Sequence, residues 1–271
     1  MEKCNPLLRP PLRLKYSFKG VRKSLGVGAS LNAPMPLRPW WSLRLSAKSS
    51  FCRAVIRNGM LTHRQMVHAA LRYRLGRSKD DAVIYWQIDK LGQIHDGKLM
   101  WYGPDCHRLK NRNATWVMYL MKEYLKIPQD TFQSTHVFFG THLLRAQYGL
   151  NRQTVCVVEA EKSAVILSEL YPQYIWLAAG GLFELQLQKF YALMSYKVVL
   201  LPDTDPEHKA YMLWYETAQK VSKSFLWPRN NPIYVSDFLE RHATADQKRR
   251  KIDLVDYYFE TIKPILTTNK L

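Results

Sequence analysis

Short apolar runs alternate with longer amphipathic segments from residue 154 onward. Three runs have the length of buried strands: residues 155–158, 174–178 and 197–201. Three longer segments have the length and periodicity of helices: residues 161–170, 183–194 and 207–222. Strands separated by such helices form right-handed βαβ units, so the pattern predicts an α/β domain over 151–260 with a parallel sheet flanked by helices. Residues 233–235 add a fourth strand.

A smaller region with a different pattern precedes this alternation. Its predicted elements are a helix over 60–75, a β hairpin over 82–103, a helix over 116–125 and a short strand over 135–140. The first helix begins after Thr62, a good cap residue, and apolar side chains follow it at helical spacing from Met66. We therefore expect an α+β extension (hairpin plus helix) over 59–150, and a tail over 261–271.

The first 58 residues show no sustained period and are interrupted by Pro and Gly. Residues 3–79 hold 17 Lys and Arg and no Asp or Glu. One interpretation is a basic region that meets an anionic partner, nucleic acid first and a membrane surface second. The other interpretation is that residues 1–58 are a disordered leader, or a spurious one translated from upstream DNA.

Composition narrows the class of protein. A chain of 271 residues with 47% hydrophobic content can bury one sizeable core and a smaller appended unit. No run approaches the roughly 20 apolar residues that cross a bilayer, so no membrane partner is expected. The four cysteines are scattered without C-x-x-C spacing, which disfavours a zinc site and favours a reducing, cytoplasmic location.

Three acidic residues follow predicted strands. Glu159 comes directly after the first strand, and Asp203 and Asp205 come after the third. Ligands of a parallel α/β sheet collect at the carboxyl ends of its strands. Two carboxylates 4 Å apart repel by about 4 kcal/mol at an effective dielectric of 20, and a divalent cation offsets that repulsion. Either motif alone is typical of a loop or a helix cap, but together and in this order they predict a metal site.

The residues around these acids resemble the Toprim motifs of bacterial and phage primases. Residues 157–164 (VVEAEKSA) are similar to the first motif, and residues 200–205 (LLPDTD) are similar to the second. The resemblance implies that Glu159 performs general acid–base catalysis and that Glu159, Asp203 and Asp205 hold Mg²⁺ or Mn²⁺. Lys162 is a candidate phosphate contact, and is equally well explained as the solvent face of a helix.

Flanking segments extend the resemblance over about residues 60–260. YWQID (85–89), FFGTHLL (138–144) and SDFLE (236–240) are similar to primase-like Toprim proteins of bacterial mobile elements, whose flanking domain has no established function. The resemblance implies a magnesium-dependent, primase-like nucleotidyltransferase that serves DNA replication or element maintenance. Its implied partners are single-stranded DNA or an RNA-primed template, and a replicative helicase.

Two departures from the motifs keep other functions open. Ala160 stands where many Toprim proteins have Gly, and Pro206 begins a segment that lacks the Gly often found after D-x-D. Glycine lets backbone approach a phosphate closely, so its loss narrows such a site. The alternatives are a catalytically degenerate Toprim module that binds single-stranded nucleic acid and, third, a metal-dependent nuclease.

Overall fold

The computed structural model describes residues 41–130, 135–144 and 153–268. The strands are β1 Trp41–Leu45, β2 Gly76–Ser78, β3 Val83–Ile88, β4 Ile94–Met100, β5 Thr115–Trp116, β6 Thr154–Val158, β7 Ile175–Ala178, β8 Lys197–Leu201 and β9 Ile233–Val235. The α-helices are α1 Ser50–Arg57, α2 His63–Arg72, α3 Val117–Tyr124, α4 Glu161–Leu170, α5 Lys209–Ser222, α6 Phe238–His242, α7 Ala245–Arg250, α8 Leu254–Tyr257 and α9 Lys263–Thr268.

The predicted parallel sheet with helices on its faces is confirmed. Its strand order is β7-β6-β8-β9, and all three pairings are parallel. The central strand β6 is buried from Val155 to Val158, which is why the sequence shows a continuous apolar run there. Parallel pairing in register brings the carboxyl ends of β6, β8 and β9 to one edge of the sheet.

The N-terminal α+β region is also present. Five strands form an antiparallel sheet in the order β1-β2-β3-β4-β5, and β3 and β4 are the predicted hairpin. Thr62 and Gln65 form a capping box that begins α2, as the Thr cap predicted. The two regions share a core: the Tyr73 hydroxyl at the end of α2 donates to the Trp176 carbonyl of β7 at 2.8 Å.

Three of the predicted segments differ from those in the structure. Residues 41–57 of the supposed leader are folded as β1 and α1, and α1 buries Phe51 and Val55, whereas residues 1–40 lie outside the described range. The strand expected over 135–140 reduces to a single bridge between Phe139 and Ala178, because Gly140 takes a φ of 91° and turns the chain away.

The helix expected over 183–194 is a 3₁₀ helix over Leu187–Leu193. Residues three apart share a face of a 3₁₀ helix, and Phe190 and Leu193 are both fully buried on that face. Apolar spacing alone does not separate this geometry from an α-helix. Across the described ranges, no helix combines the length and apolar character needed to cross a bilayer.

Candidate active site

Glu159 and Asp203 meet at the carboxyl edge of the parallel sheet. Val158 at the end of β6 lies beside Leu201 at the end of β8, and each strand then continues into one of the two acids. Burial raises the pKa of Asp203, and Glu159 is close enough to raise it further. The sequence prediction that strand ends would bring these two side chains together is in accord with this geometry.

Burial and neighbouring carboxylates disfavour the charged forms of Glu159 and Asp203. Burial, then Glu159 and Asp253, hold the pKa of Asp203 well above its ordinary value. Burial and then Asp253 raise the pKa of Glu159, against the opposing effects of Lys98 and the Leu182 amide. Ionising both side chains would thus place more negative charge at this edge than the surroundings compensate, and a bound divalent cation would favour the ionised forms.

The Asp205 side chain caps the start of α5. Its Oδ1 accepts from the amides of Glu207 and Lys209 at 3.0 and 3.2 Å, and its Oδ2 accepts from the amide of Ala210 at 2.9 Å. Burial opposes the charge, but these three amides hold the pKa of Asp205 below its usual range. The side chain thus satisfies the amides at the start of α5, which otherwise lack partners.

Replacing Asp205 with Ala is expected to lower the free energy of unfolding by about 1–2 kcal/mol, the usual cost of a lost cap. Asp205→Asn retains an acceptor and is expected to lose less. Denaturant unfolding with and without Mn²⁺ would measure both variants. If Asp205 acts as a cap, Mn²⁺ stabilises Asp205→Asn as much as the wild type; a lost Mn²⁺ response would make it a ligand.

Two further acids, Asp253 and Asp256, join the edge from a distant segment. The amide of Thr204 donates to the carbonyl of Ile252 at 3.2 Å, and this contact brings the two acids beside Asp203. Asp253 and Asp256 form the capping box that begins α8. In the sequence their spacing signals only a helix start, so the pattern by itself did not mark them as part of a site.

Lys162 is the cation inside this cluster. Its Nζ lies 3.4 Å from Asp253 and 3.5 Å from Asp256, and its side chain is 13% exposed. Burial would lower the pKa of Lys162, but the two carboxylates raise it above its ordinary value. The ammonium group is thus committed to protein carboxylates, and the predicted phosphate contact stays a prediction.

Lys98 brings a second cation from the N-terminal region. It projects from β4, and its Nζ lies 3.1 Å from Glu161 and 2.6 Å from the Gly180 carbonyl. Its charge also opposes the effect of burial on the pKa of Glu159. The candidate site is therefore built by both regions of the fold, a feature that the motif resemblance did not reveal.

The donor set fits a hard divalent cation through two carboxylates. Mg²⁺ commonly takes one or two carboxylates and retains water for phosphate oxygens, and Glu159 and Asp203 supply that number. Asp205 already accepts hydrogen bonds from three amides, and its role as a metal ligand stays a prediction. Within residues 41–130, 135–144 and 153–268, no set of three or more His, Cys, Asp or Glu side chains is arranged to ligate a metal.

Comparisons with known proteins give one family and a group of distant structures. The chain matches the primase fragment of the bacteriophage T7 primase-helicase protein with a TM-score of 0.46 and 13% identity, covering 76% of this chain and 70% of that one. It also matches one chain of a structure in which the bacteriophage T7 lagging-strand DNA polymerase interacts with primase domains of two gp4 subunits bound to an RNA/DNA hybrid and dTTP. That match has a TM-score of 0.44 and 14% identity, and it covers 74% of this chain and 84% of that one.

No curated protein matches the sequence. The family model described as "Domain of unknown function (DUF6371)" matches residues 49–204, which is more than half of the chain and includes both Glu159 and Asp203. The chain belongs to the DUF6371 family.

Proposed function

We propose that this protein performs cation-dependent phosphodiester chemistry on nucleic acid, as a primase-like nucleotidyltransferase of the Toprim type. One observation carries the proposal: Glu159 and Asp203 lie together, partly buried, at the carboxyl edge of a parallel sheet, with pKa values raised by burial and by neighbouring carboxylates. Perturbed pKa values cluster at functional sites, and a perturbed pair at this edge of the sheet supports the proposal.

Each side chain of the cluster has a role in this proposal. Glu159 and Asp203 would hold Mg²⁺ or Mn²⁺, which would bind phosphate oxygens and stabilise the charge that develops on them. A raised pKa also brings the Glu159 carboxyl closer to the range in which it accepts a proton from an attacking hydroxyl. The Leu182 amide and Lys98 favour its ionised form, and Lys162 fixes Asp253 and Asp256 beside it.

The test is primer synthesis by the full chain. With single-stranded DNA template, nucleoside triphosphates and Mg²⁺, we expect short oligonucleotides, and we expect Glu159→Gln to reduce the rate about 10²–10⁴-fold because acid–base catalysis is lost. Glu216→Gln, on the exposed face of α5, removes the same charge away from the site and is the matched control. Full activity of Glu159→Gln would refute the assignment.

A second candidate is a non-catalytic module that binds single-stranded nucleic acid. The position of Asp205 favours it, because this acid, predicted as a metal ligand beside Glu159 and Asp203, caps α5. Salt-sensitive binding of a labelled oligonucleotide with no product, in Mg²⁺ or Mn²⁺, would support this candidate over the enzyme. A replicative helicase as partner remains a prediction under either function.

A further inference from the structure

A small basic cavity lies against the loop that follows β4. Its volume is about 120 Å³, and Trp101, Arg108, Lys110 and Arg112 contribute to its lining. Among the residues that the structure describes, no carboxylate belongs to the lining. The cavity thus combines three cations with one aromatic ring, a chemistry that suits an anion and not an apolar ligand.

The backbone of this loop is held by its own hydrogen bonds. The Leu109 amide donates to the Trp101 carbonyl at 2.9 Å, and the Arg112 amide donates to the Leu109 carbonyl at 3.2 Å. The Gly103 amide donates to the His107 carbonyl at 2.8 Å. The three cations are therefore carried by a folded loop, which reduces the conformational entropy lost when a ligand binds.

Arg112 is oriented before any ligand arrives. Its guanidinium carbon lies 5.2 Å from the centre of the Trp101 ring, and its Nη1 lies 3.2 Å from Oδ2 of Asp80. The Trp101 indole donates to the same Asp80 oxygen at 3.0 Å, which fixes the ring. Stacking and pairing leave the remaining guanidinium N–H groups in a defined direction.

Arg108 and Lys110 supply charge that protein groups do not neutralise. Both are exposed, and neither forms an ion pair within the described part of the chain. Asp80 contacts the lining from outside, and it pairs with Arg112. Three cations against Asp80 leave a local charge of about +2, which more than offsets the single negative charge of one backbone phosphate.

We propose that this cavity binds one phosphate group of a single-stranded nucleic acid. A volume of about 120 Å³ is well below the roughly 300–1,000 Å³ of pockets that hold whole small molecules, so the cavity suits a small anionic group. The sugar and base would stay outside the cavity, which would therefore hold one backbone phosphate of a strand and not a whole nucleotide. Neither Glu159 nor Asp203 belongs to the lining, so the cavity would bind a phosphate without a divalent cation at those two carboxylates.

The same loop approaches the carboxylate edge of the parallel sheet. Burial and Asp253 raise the pKa of Asp256 while His107 opposes them, so the loop and that cluster are within electrostatic reach of each other. His107, which exerts this effect, lies next to Arg108 of the cavity lining on the chain.

The test is oligonucleotide binding by the full chain in EDTA, which keeps its outcome independent of any cation-dependent activity. Fluorescence anisotropy with a labelled single-stranded DNA across a salt series would compare wild type, Arg108→Gln/Lys110→Gln and the control Lys220→Gln/Lys223→Gln at the end of α5. We expect the cavity variant to bind about tenfold or more weakly on every sequence, and its log–log salt slope to be shallower by about 0.7 for each phosphate that it no longer neutralises. The control should stay near wild type.

Three outcomes would overturn the proposal. One is an equal loss of affinity in the cavity and control variants, which would indicate diffuse charge attraction. Another is unchanged binding in the cavity variant. The third is displacement of the oligonucleotide by a nucleoside triphosphate as efficiently as by unlabelled DNA, which would assign the cavity to a free nucleotide. Weaker binding by the cavity variant, with the control variant near wild type and no displacement by nucleoside triphosphate at the concentration at which unlabelled DNA displaces, would support it.

Discussion

Asp203→Asn is expected to raise the thermal midpoint of the protein in EDTA by several degrees. The wild-type carboxyl is buried, and Glu159, Asp253 and Asp256 disfavour its charge while Lys162 opposes them; Asn removes the charge and preserves the shape. Removing a buried charge that its neighbours compensate incompletely raises the free energy of unfolding by about 1–3 kcal/mol. Each kcal/mol shifts the thermal midpoint of a chain of this size by about 2–4 °C.

A divalent cation should make the wild type more stable than Asp203→Asn. Mg²⁺ or Mn²⁺ binds the folded wild type and stabilises it by mass action, whereas Asp203→Asn lacks one of the two ligands and should respond little. Differential scanning fluorimetry of both proteins, with Glu216→Gln as control, would measure the crossover. A variant that is less stable in EDTA and responds to Mn²⁺ like the wild type would remove Asp203 from the cation site.

The stability difference between wild type and Asp203→Asn should depend on pH, because the pKa of Asp203 is raised in the folded state. The folded pKa of Asp203 lies above its unfolded value, so the folded state holds a proton more tightly, and wild-type stability falls as pH rises from the unfolded pKa through the folded one. Asn cannot titrate. The stability advantage of Asp203→Asn should therefore be absent at acidic pH and grow as pH rises.

Lys162→Met is expected to lower the free energy of unfolding by about 3–5 kcal/mol. Removing one partner of a buried ion pair leaves the other charge without compensation, and here two carboxylates, Asp253 and Asp256, would lose their cation together. Urea unfolding followed by circular dichroism would give the value. Lys209→Met is the control, because Lys209 is exposed and pairs with the exposed Glu207; no measurable change is expected there.

A double-mutant cycle separates an ion-pair role for Lys162 from a phosphate-binding role. If the ion pair dominates, Lys162→Met should lower the free energy of unfolding less in the Asp253→Asn background than alone. In that background the cluster has one fewer carboxylate that loses its compensating cation. Asp253 also accepts from the Ser163 hydroxyl at 2.7 Å, and Asn can preserve that bond. A small stability change together with a large loss of oligonucleotide affinity would instead support the phosphate contact that the sequence predicted.

The parallel sheet was readable from the sequence because its determinants are local. Each buried strand is a short apolar run, each connection is long enough for a helix, and chirality then restricts the topology. The bounds predicted for α4, β8 and β9 match the structure. The 3₁₀ segment at Leu187–Leu193 was not predictable in the same way, since i, i+3 apolar spacing is common to both helix types.

The sequence by itself also determined that Glu159 and Asp203 share an edge, because each acid directly follows a strand of one parallel sheet. Only the tertiary structure decided which groups the other acids contact and which acids lie at this edge. Asp205 turns toward the amides of α5, and Asp253 and Asp256 arrive from a segment about 50 residues further along the chain. Lys98 comes from the other sheet. Charge compensation in a buried cluster depends on through-space distances of a few ångströms, and no spacing along the chain encodes those distances.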